Sequence, residues 1–242
     1  MNKKKIWVVV VLAVAFITVV SLLALFIFNL KKEVEERTAL MAEVDNIWKL
    51  FESEDIDKEK FEHITKKRIT TSSRVVVEDA IEEFTKDLVY TVDDIYKLLK
   101  DEKFVQVLTT NSLKDDMNEF NKSLDYVKTT KEKYEDNKKK LEKFKSEDYV
   151  EAYIIKKTKN KDLIKIYNEL VGVSTSYKKD LEDTISGIDR RIKVLDIYNE
   201  ALNFLKSNNQ VFKIEGEQII FSEESKNTEY QQIIGKLKEF TN

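Results

Sequence analysis

An all-α protein carried on one N-terminal membrane helix is the architecture this chain encodes, and three observations lead to it. Residues Ile6–Leu30 form one unbroken apolar run in which Thr18, Ser21 and Asn29 are the sole polar side chains. The 242-residue chain has no proline and four glycines, so the residues that interrupt a helix most cheaply are nearly missing. Charged residues make up 36% of it and alternate with leucine, isoleucine and valine at helical spacing, the composition of long solvated helices. The expected fold is a transmembrane helix running into an elongated antiparallel helical bundle, a coiled-coil hairpin, with a small C-terminal β-hairpin and a closing helix.

The apolar run reads as a signal anchor. A helix needs roughly 20 apolar residues to cross about 30 Å of hydrocarbon. The run supplies 25, enough to span with some tilt. A cleaved signal peptide has an apolar core of about 7–15 residues followed by a small-x-small site. Ala13-Val14-Ala15 has that form but lies in mid-run, and without cysteine there is no lipoprotein processing. Residues 1–5, with Lys3, Lys4 and Lys5, form a short basic head. Lys31, Lys32 and Arg37 nearly balance it, and the shortness of the head favours an N-in orientation. No GxxxG pattern occurs in the run, so tight pairing of two anchors through small residues is not indicated. The domain reading is a cytoplasmic head at 1–5, an anchor at 6–30, and an extracytoplasmic helical domain at 31–242.

Composition narrows the function. From Lys31 onward the chain holds all 45 acids and 39 of the 42 bases, a net charge of −6. That balance argues against nucleic acid as a partner, and polybasic lipid binding is equally unsupported. The absence of cysteine removes disulfides, thiol nucleophiles and cysteine-based metal sites. Richness in Lys, Asn, Ile and Glu suggests a bacterium with an AT-rich genome.

Periodicity sets out the elements. Val34, Arg37, Met41, Val44, Trp48 and Phe51 predict one stripe on a helix leaving the membrane. A turn at Ser53–Asp57 precedes a short amphipathic piece from Lys58 to about Ile69 carrying Phe61 and Ile64. Ser72 or Ser73 is the expected cap of a helix whose buried face is Val77, Ile81, Phe84, Leu88, Val92, Ile95 and Leu99. After a small apolar extension at Lys103–Leu108, Thr109–Ser112 caps the next element. Leu113, Met117, Phe120, Leu124, Val127, Lys131, Tyr134, Lys138 and Leu141 alternate steps of four and three, a heptad seam diluted by its two lysines. If helical throughout, Leu113–Lys145 is about 50 Å long.

Ser146 opens a short piece, and Asn160 marks a turn. A second long stripe then runs from Leu163 to Leu202, folding back on the first as an antiparallel hairpin. Gly172 and Gly187 within it are expected to be tolerated surface glycines; the competing reading is that they mark close helix contacts. Val211–Ile214 and Gln218–Phe221 flank Glu215-Gly216 and predict a β-hairpin at about 211–221, with Phe212, Ile214, Ile219 and Phe221 on one face if the loop is two residues long. Thr228-Glu-Tyr-Gln231 reads as a capping box for a closing helix.

Chemistry is sparse. His63 is the sole histidine, too few for a His-based metal site; it is also the only classical base for a serine nucleophile, no G-x-S-x-G occurs, and it is expected at the surface. Asp55-x-Asp57-x-Glu59 mimics the start of a calcium loop, but Lys60 and Lys66 stand where glycine and glutamate are required, so a solvated turn is expected. The ten tyrosines are expected to pad the core with their hydroxyls at the surface; the competing reading is a ligand groove between helices. No catalytic, cofactor-binding or metal-binding residue is nominated, and no cofactor is implied. The expected role is a non-catalytic interaction or structural module of the bacterial cell envelope. It would be single-pass in the membrane through residues 6–30 and would work with a protein partner or a second copy. The alternative is an extracytoplasmic ligand-binding sensory bundle acting through a partner.

Overall fold

The computed structural model describes residues 31–52, 57–117, 119–172 and 175–240. The run 6–30, and with it the expected anchor and head, lies outside these residues. Among the described residues no helix is long and apolar enough to cross a membrane. The described chain is mostly helical, with one two-stranded sheet.

Helix α1 covers residues 31–48 and tightens into a 3-10 turn at Lys49–Glu52. Then follow α2 (Lys58–Thr65), α3 (Val75–Leu99), two short helices α4 (Lys103–Gln106) and α5 (Thr110–Asp115), and α6 (Asn121–Phe144). Helices α7 (Glu147–Ile155), α8 (Lys161–Val171) and α9 (Thr175–Ser207) lead to strands β1 (Phe212–Glu215) and β2 (Gln218–Phe221). Helix α10 (Glu224–Gly235) and a 3-10 turn at Lys236–Phe240 close the chain.

Helix α3 is the hub. Its predicted face is buried at Val77, Ile81, Phe84, Leu88 and Ile95, but so are Ala80, Thr85, Val89 and Thr91 on other sides. The reason is that α2, α6, α7 and α8 all pack against it. Phe84 meets Phe144 of α6 and Tyr153 of α7 edge-on, at 6.0 and 5.7 Å between ring centres. Edge-to-face packing of this kind adds to area burial because the positive ring edge meets the negative ring face.

Helices α6 and α9 form the antiparallel pair that the two stripes predict. The buried positions of α6 are Val127, Thr130, Tyr134, Asn137, Leu141 and Phe144; on α9, Leu181, Ile188, Leu195 and Leu202 recur every seven residues. Three corrections apply to the expected hairpin. First, the seam is rotated: Thr130 and Asn137 take the inner positions, and Lys131 and Lys138 sit at its edge. Second, the helix is not continuous from Leu113. Phe120 adopts the left-handed conformation, φ 55° and ψ 26°, and separates α5 from α6. Leu113 and Phe120 are both fully buried, so the period of seven survives a break in the backbone. Third, the second stripe is two helices. Gly172 ends α8 at φ −20° and ψ 117°, where an added Cβ would lie 2.9 Å from the Asn168 carbonyl oxygen. It is thus a helix terminator and not a tolerated surface glycine.

Elsewhere, the stripe of α1 is Leu40, Val44, Ile47 and Leu50, with Val34 and Met41 exposed. Neither Ser72 nor Ser73 caps α3: the pair belongs to a 3-10 turn, Ser72–Arg74, and α3 has no side-chain cap. Thr228 lies inside α10, which begins at Glu224, and its hydroxyl donates back to the Glu224 carbonyl at 3.0 Å. Thr109, Ser146 and Asn160 do cap α5, α7 and α8. The β-hairpin has the predicted register, Phe212 opposite Phe221 and Ile214 opposite Ile219, with Gly216 at φ 56° in a two-residue loop. A lone hairpin is marginal in water; this one leans on Phe120, 6.4 Å from Phe212, and on Phe204 of α9, 5.9 Å from Phe221.

Candidate functional site

The densest polar construction in the described chain joins α1 to α3, at the end of the fold where α1 begins. Arg74, buried at the start of α3, reaches back across the first turn of α1. Its Nη1 donates to the Glu33 carbonyl at 3.0 Å and lies 3.5 Å from Glu36 Oε2, while Nη2 pairs with the Glu33 carboxylate. Thr71 donates to Glu36 Oε1 twice, from its backbone N–H at 3.1 Å and its hydroxyl at 2.5 Å. Burial raises the Glu36 carboxyl, but the two Thr71 bonds, with Lys32 and Arg74 nearby, outweigh it and hold the pKa below the usual range. One turn into α3, the buried Glu78 carboxylate accepts from the backbone N–H groups of Ile69 and Thr70 at 2.8 and 2.9 Å, and from the Thr70 hydroxyl. Arg68 pairs with Asp79 at 2.7 Å. The segment 68–74 is therefore sewn to both helices.

Glu43 sits above this joint on α1 and is 7% exposed. Burial, reinforced by the Glu78 and Glu82 carboxylates, pushes its pKa up to about 7. A carboxyl poised near neutrality is a general acid–base candidate only where a substrate can reach it. Neither cavity described below touches Glu43. Glu78 is fully occupied by backbone donors, and Glu33 and Glu36 by Arg74 and Thr71. The arrangement holds helices in register; it does not present a reactive group.

Two cavities lie elsewhere. One of about 250 Å³ is lined by Glu147, Asp148, Glu151, Asn168 and Gly172, between the start of α7 and the end of α8. Two of its acids are engaged, Glu147 with Lys178 at 2.7 Å and Glu151 with the Asn168 amide at 2.9 Å. The other, about 160 Å³, is mainly apolar and is framed by Val92, Ile95, Tyr96 and Leu99 of α3 against Gly187 and Ile188 of α9. Among the described residues no group of three or more histidine or carboxylate side chains is placed to hold a metal ion.

The residues weighed for chemistry in the sequence are scattered. His63 is exposed on α2. Asp57 is the N-cap of α2 and accepts from the Lys60 N–H at 2.9 Å, while Asp55 lies outside the described residues. The tyrosines do more than pad. Tyr153 donates to Asp87 at 2.6 Å and Tyr126 to Asp101 at 2.8 Å, and burial with the carboxylate partner raises both phenols above their usual pKa. Tyr167 donates to the Val150 carbonyl at 3.0 Å, deep in the α7–α8 contact. Tyr134 is wholly buried, its hydroxyl has no hydrogen-bond partner among the described residues, and burial lifts its pKa to about 12. Among the tyrosines whose side chains are described, Tyr96 alone lines either of these cavities. Sequence reasoning missed Arg74 and Glu78. Both flank an apolar stripe without disturbing its period, so nothing in the spacing marks them as buried.

Comparison with protein-family models, with curated proteins and with solved structures finds no match to this chain.

Proposed function

We propose that this protein is a non-catalytic helical interaction module of the bacterial cell envelope, tethered to the bilayer through residues 6–30 with its domain outside the cytoplasm. The observation that carries the reading is the continuity between run and fold. The apolar run ends at Leu30, residues 31–48 are helical, and Glu33 and Glu36 near the start of the described part of α1 are bound into the domain by Arg74 and Thr71. A segment that only had to leave the membrane would not need its first turn fastened by buried charge. The helices are held by ion pairs and aromatic contacts, and the carboxylates of the α1–α3 joint, Glu33, Glu36 and Glu78, are engaged by Arg74, Thr71 and the backbone of 69–70, which favours a binding role over turnover.

Orientation is tested by a single cysteine, since the natural chain has none. Lys139→Cys on exposed α6 should react with a membrane-impermeant thiol reagent in intact cells. Labelling only after lysis would overturn the external placement. Crosslinking in the native membrane should then capture a protein partner or a second copy. The sensory reading draws on one observation, the apolar cavity beside Tyr96. It predicts that filling the cavity with Gly187→Leu abolishes a signal but leaves the partner bound.

A further inference from the structure

Helices α1 and α3 lie side by side along one seam. Leu40 and Val44 of α1 share a buried cluster with Val77, Ala80 and Ile81 of α3, and further along Ile47 and Leu50 share one with Val89. From the contact of Glu36 with Thr71 and Arg74, the two helices therefore run in the same direction. Glu43 stands between Leu40 and Ile47 in this series of buried positions and is itself 7% exposed. A carboxyl in such a seam is costly to ionise unless it finds a cation.

No cation among the described residues is placed to serve it. The charged groups that act on Glu43 are the carboxylates of Glu78 and Glu82, both on α3. Glu78 is held as an acceptor by Ile69 and Thr70. Nearby bases are bound elsewhere. In the 66–74 segment, Arg68 pairs with Asp79 at 2.7 Å and lies 4.0 Å from Glu78, and Arg74 pairs with Glu33 and Glu36. Arg37, on α1 itself, meets Glu169 of α8 at 2.6 Å, and Lys165 lies 3.9 Å from the same carboxylate. Lys58 of α2 pairs with Asp93 at 2.5 Å. Ionising Glu43 in the seam therefore strips its hydration and sets it against two like charges.

Helix α1 is free to move without the rest. Helix α3 keeps α6, α7 and α8 against it if α1 leaves, whereas α1 has an open outer face with Val34 and Met41 exposed. Single elements open from an otherwise intact fold at a lower free energy than global unfolding. We propose that the α1–α3 seam is a pH-sensitive latch. Protonated, Glu43 packs as a neutral group and α1 stays seated on α3. Ionised, it is repelled by Glu78 and Glu82, and α1 comes away. Burial, and then the two carboxylates, push the Glu43 carboxyl up to about 7 in the fold, against 4.5 once it is exposed. The latch thus loosens as pH rises through neutrality. It works whether or not the run 6–30 spans a membrane.

Native-state hydrogen exchange on the full chain in detergent micelles reads the latch. After correction for the intrinsic exchange rate, protection of residues 38–50 should fall about tenfold between pH 5 and pH 8, the gap between the two pKa values discounted for solvent screening. The fall should vanish in Glu43→Gln and persist in Asp45→Asn, an exposed acid on the same helix. Exchange of residues 38–50 should also be insensitive to low urea, while that of α6 speeds up with it, because urea acts on openings that expose large areas. Protection of 38–50 that does not change with pH overturns the proposal, as does a fall that survives Glu43→Gln or is lost in Asp45→Asn. Exchange of 38–50 that matches α6 in both protection and urea dependence also overturns it, since Glu43 would then set global stability and α1 would not open by itself. Should Glu43→Gln fail to fold, the pH and urea profiles of the natural chain decide by the same criteria.

Discussion

Phe120 holds the one positive φ of a non-glycine residue among the described residues, and its ring is completely buried. The left-handed conformation costs an L-residue about 1–2 kcal/mol, and burial against Phe212 offsets it. Two effects can be separated by substitution. Phe120→Ala should lose about 3–5 kcal/mol, as large-to-small changes in a core do. Phe120→Gly should lose no more than the alanine variant, although glycine normally costs a helix terminus extra entropy, because it alone relieves the backbone. Urea denaturation of both variants checks this; a glycine variant clearly less stable than the alanine one would refute the strain. Glu43 gives a pH-dependent counterpart. Its folded pKa, about 7, lies above the ordinary 4.5. Below about pH 4.5 it is protonated in both states and carries no penalty. As pH rises toward 7 the unfolded chain ionises first, so stability is lost, and above 7 the loss is constant. Glu43→Gln should therefore raise stability by about 1–2 kcal/mol at pH 8, allowing for solvent screening, and leave it nearly unchanged at pH 4. Thermal melts at the two pH values measure it.

At the scale of elements, the α6–α9 pair is registered by charge as well as by its apolar seam. Lys131 pairs with Asp196 at 2.6 Å, Lys138 with Asp189 at 2.7 Å and Lys145 with Glu182 at 2.9 Å. Each step moves seven residues up one helix and seven down the other, which is the signature of an antiparallel coiled-coil register. The lysines that look like dilution of the seam are thus its flanking pairs. The two lysine positions read as core in the sequence because alternating steps of four and three fit either side of a seam. Which side faces α9 is settled by Thr130 and Asn137 being small enough to lie inward. Lys138→Asp should cost about 1 kcal/mol by facing Asp189 with a like charge, and adding Asp189→Lys should recover at least half of it. Urea midpoints of the single and double variants decide the matter; no recovery would show the pairs to be incidental. The pairing of the β-hairpin, in contrast, was readable in the sequence, because with a two-residue loop at Gly216 a period of two puts Phe212, Ile214, Ile219 and Phe221 on one face.

On the scale of the whole molecule, one contiguous core links α1, α3, α6, α7, α8, α9 and the hairpin, and a smaller cluster of Ile47, Leu50, Phe61 and Val89 seats α2. A chain beginning at residue 31 should therefore fold without the apolar run and unfold in a single cooperative transition, with circular dichroism and tyrosine fluorescence melting together; two separated transitions would show the α6–α9 pair to be an independent unit. What the sequence determined by itself was local: the helical class, the apolar run, the starts of α5, α7 and α8 at Thr109, Ser146 and Asn160, and the hairpin pairing. Those follow from propensity, period and turn chemistry, which act over a few residues. What only the tertiary structure decided was which faces meet. The breaks at Phe120 and Gly172, the inward turn of Asn137 and the burial of Arg74 and Glu78 all come from contacts between residues far apart in the chain. A period of seven persists across a broken helix, and a buried charge satisfied by a distant backbone leaves no trace in its neighbours.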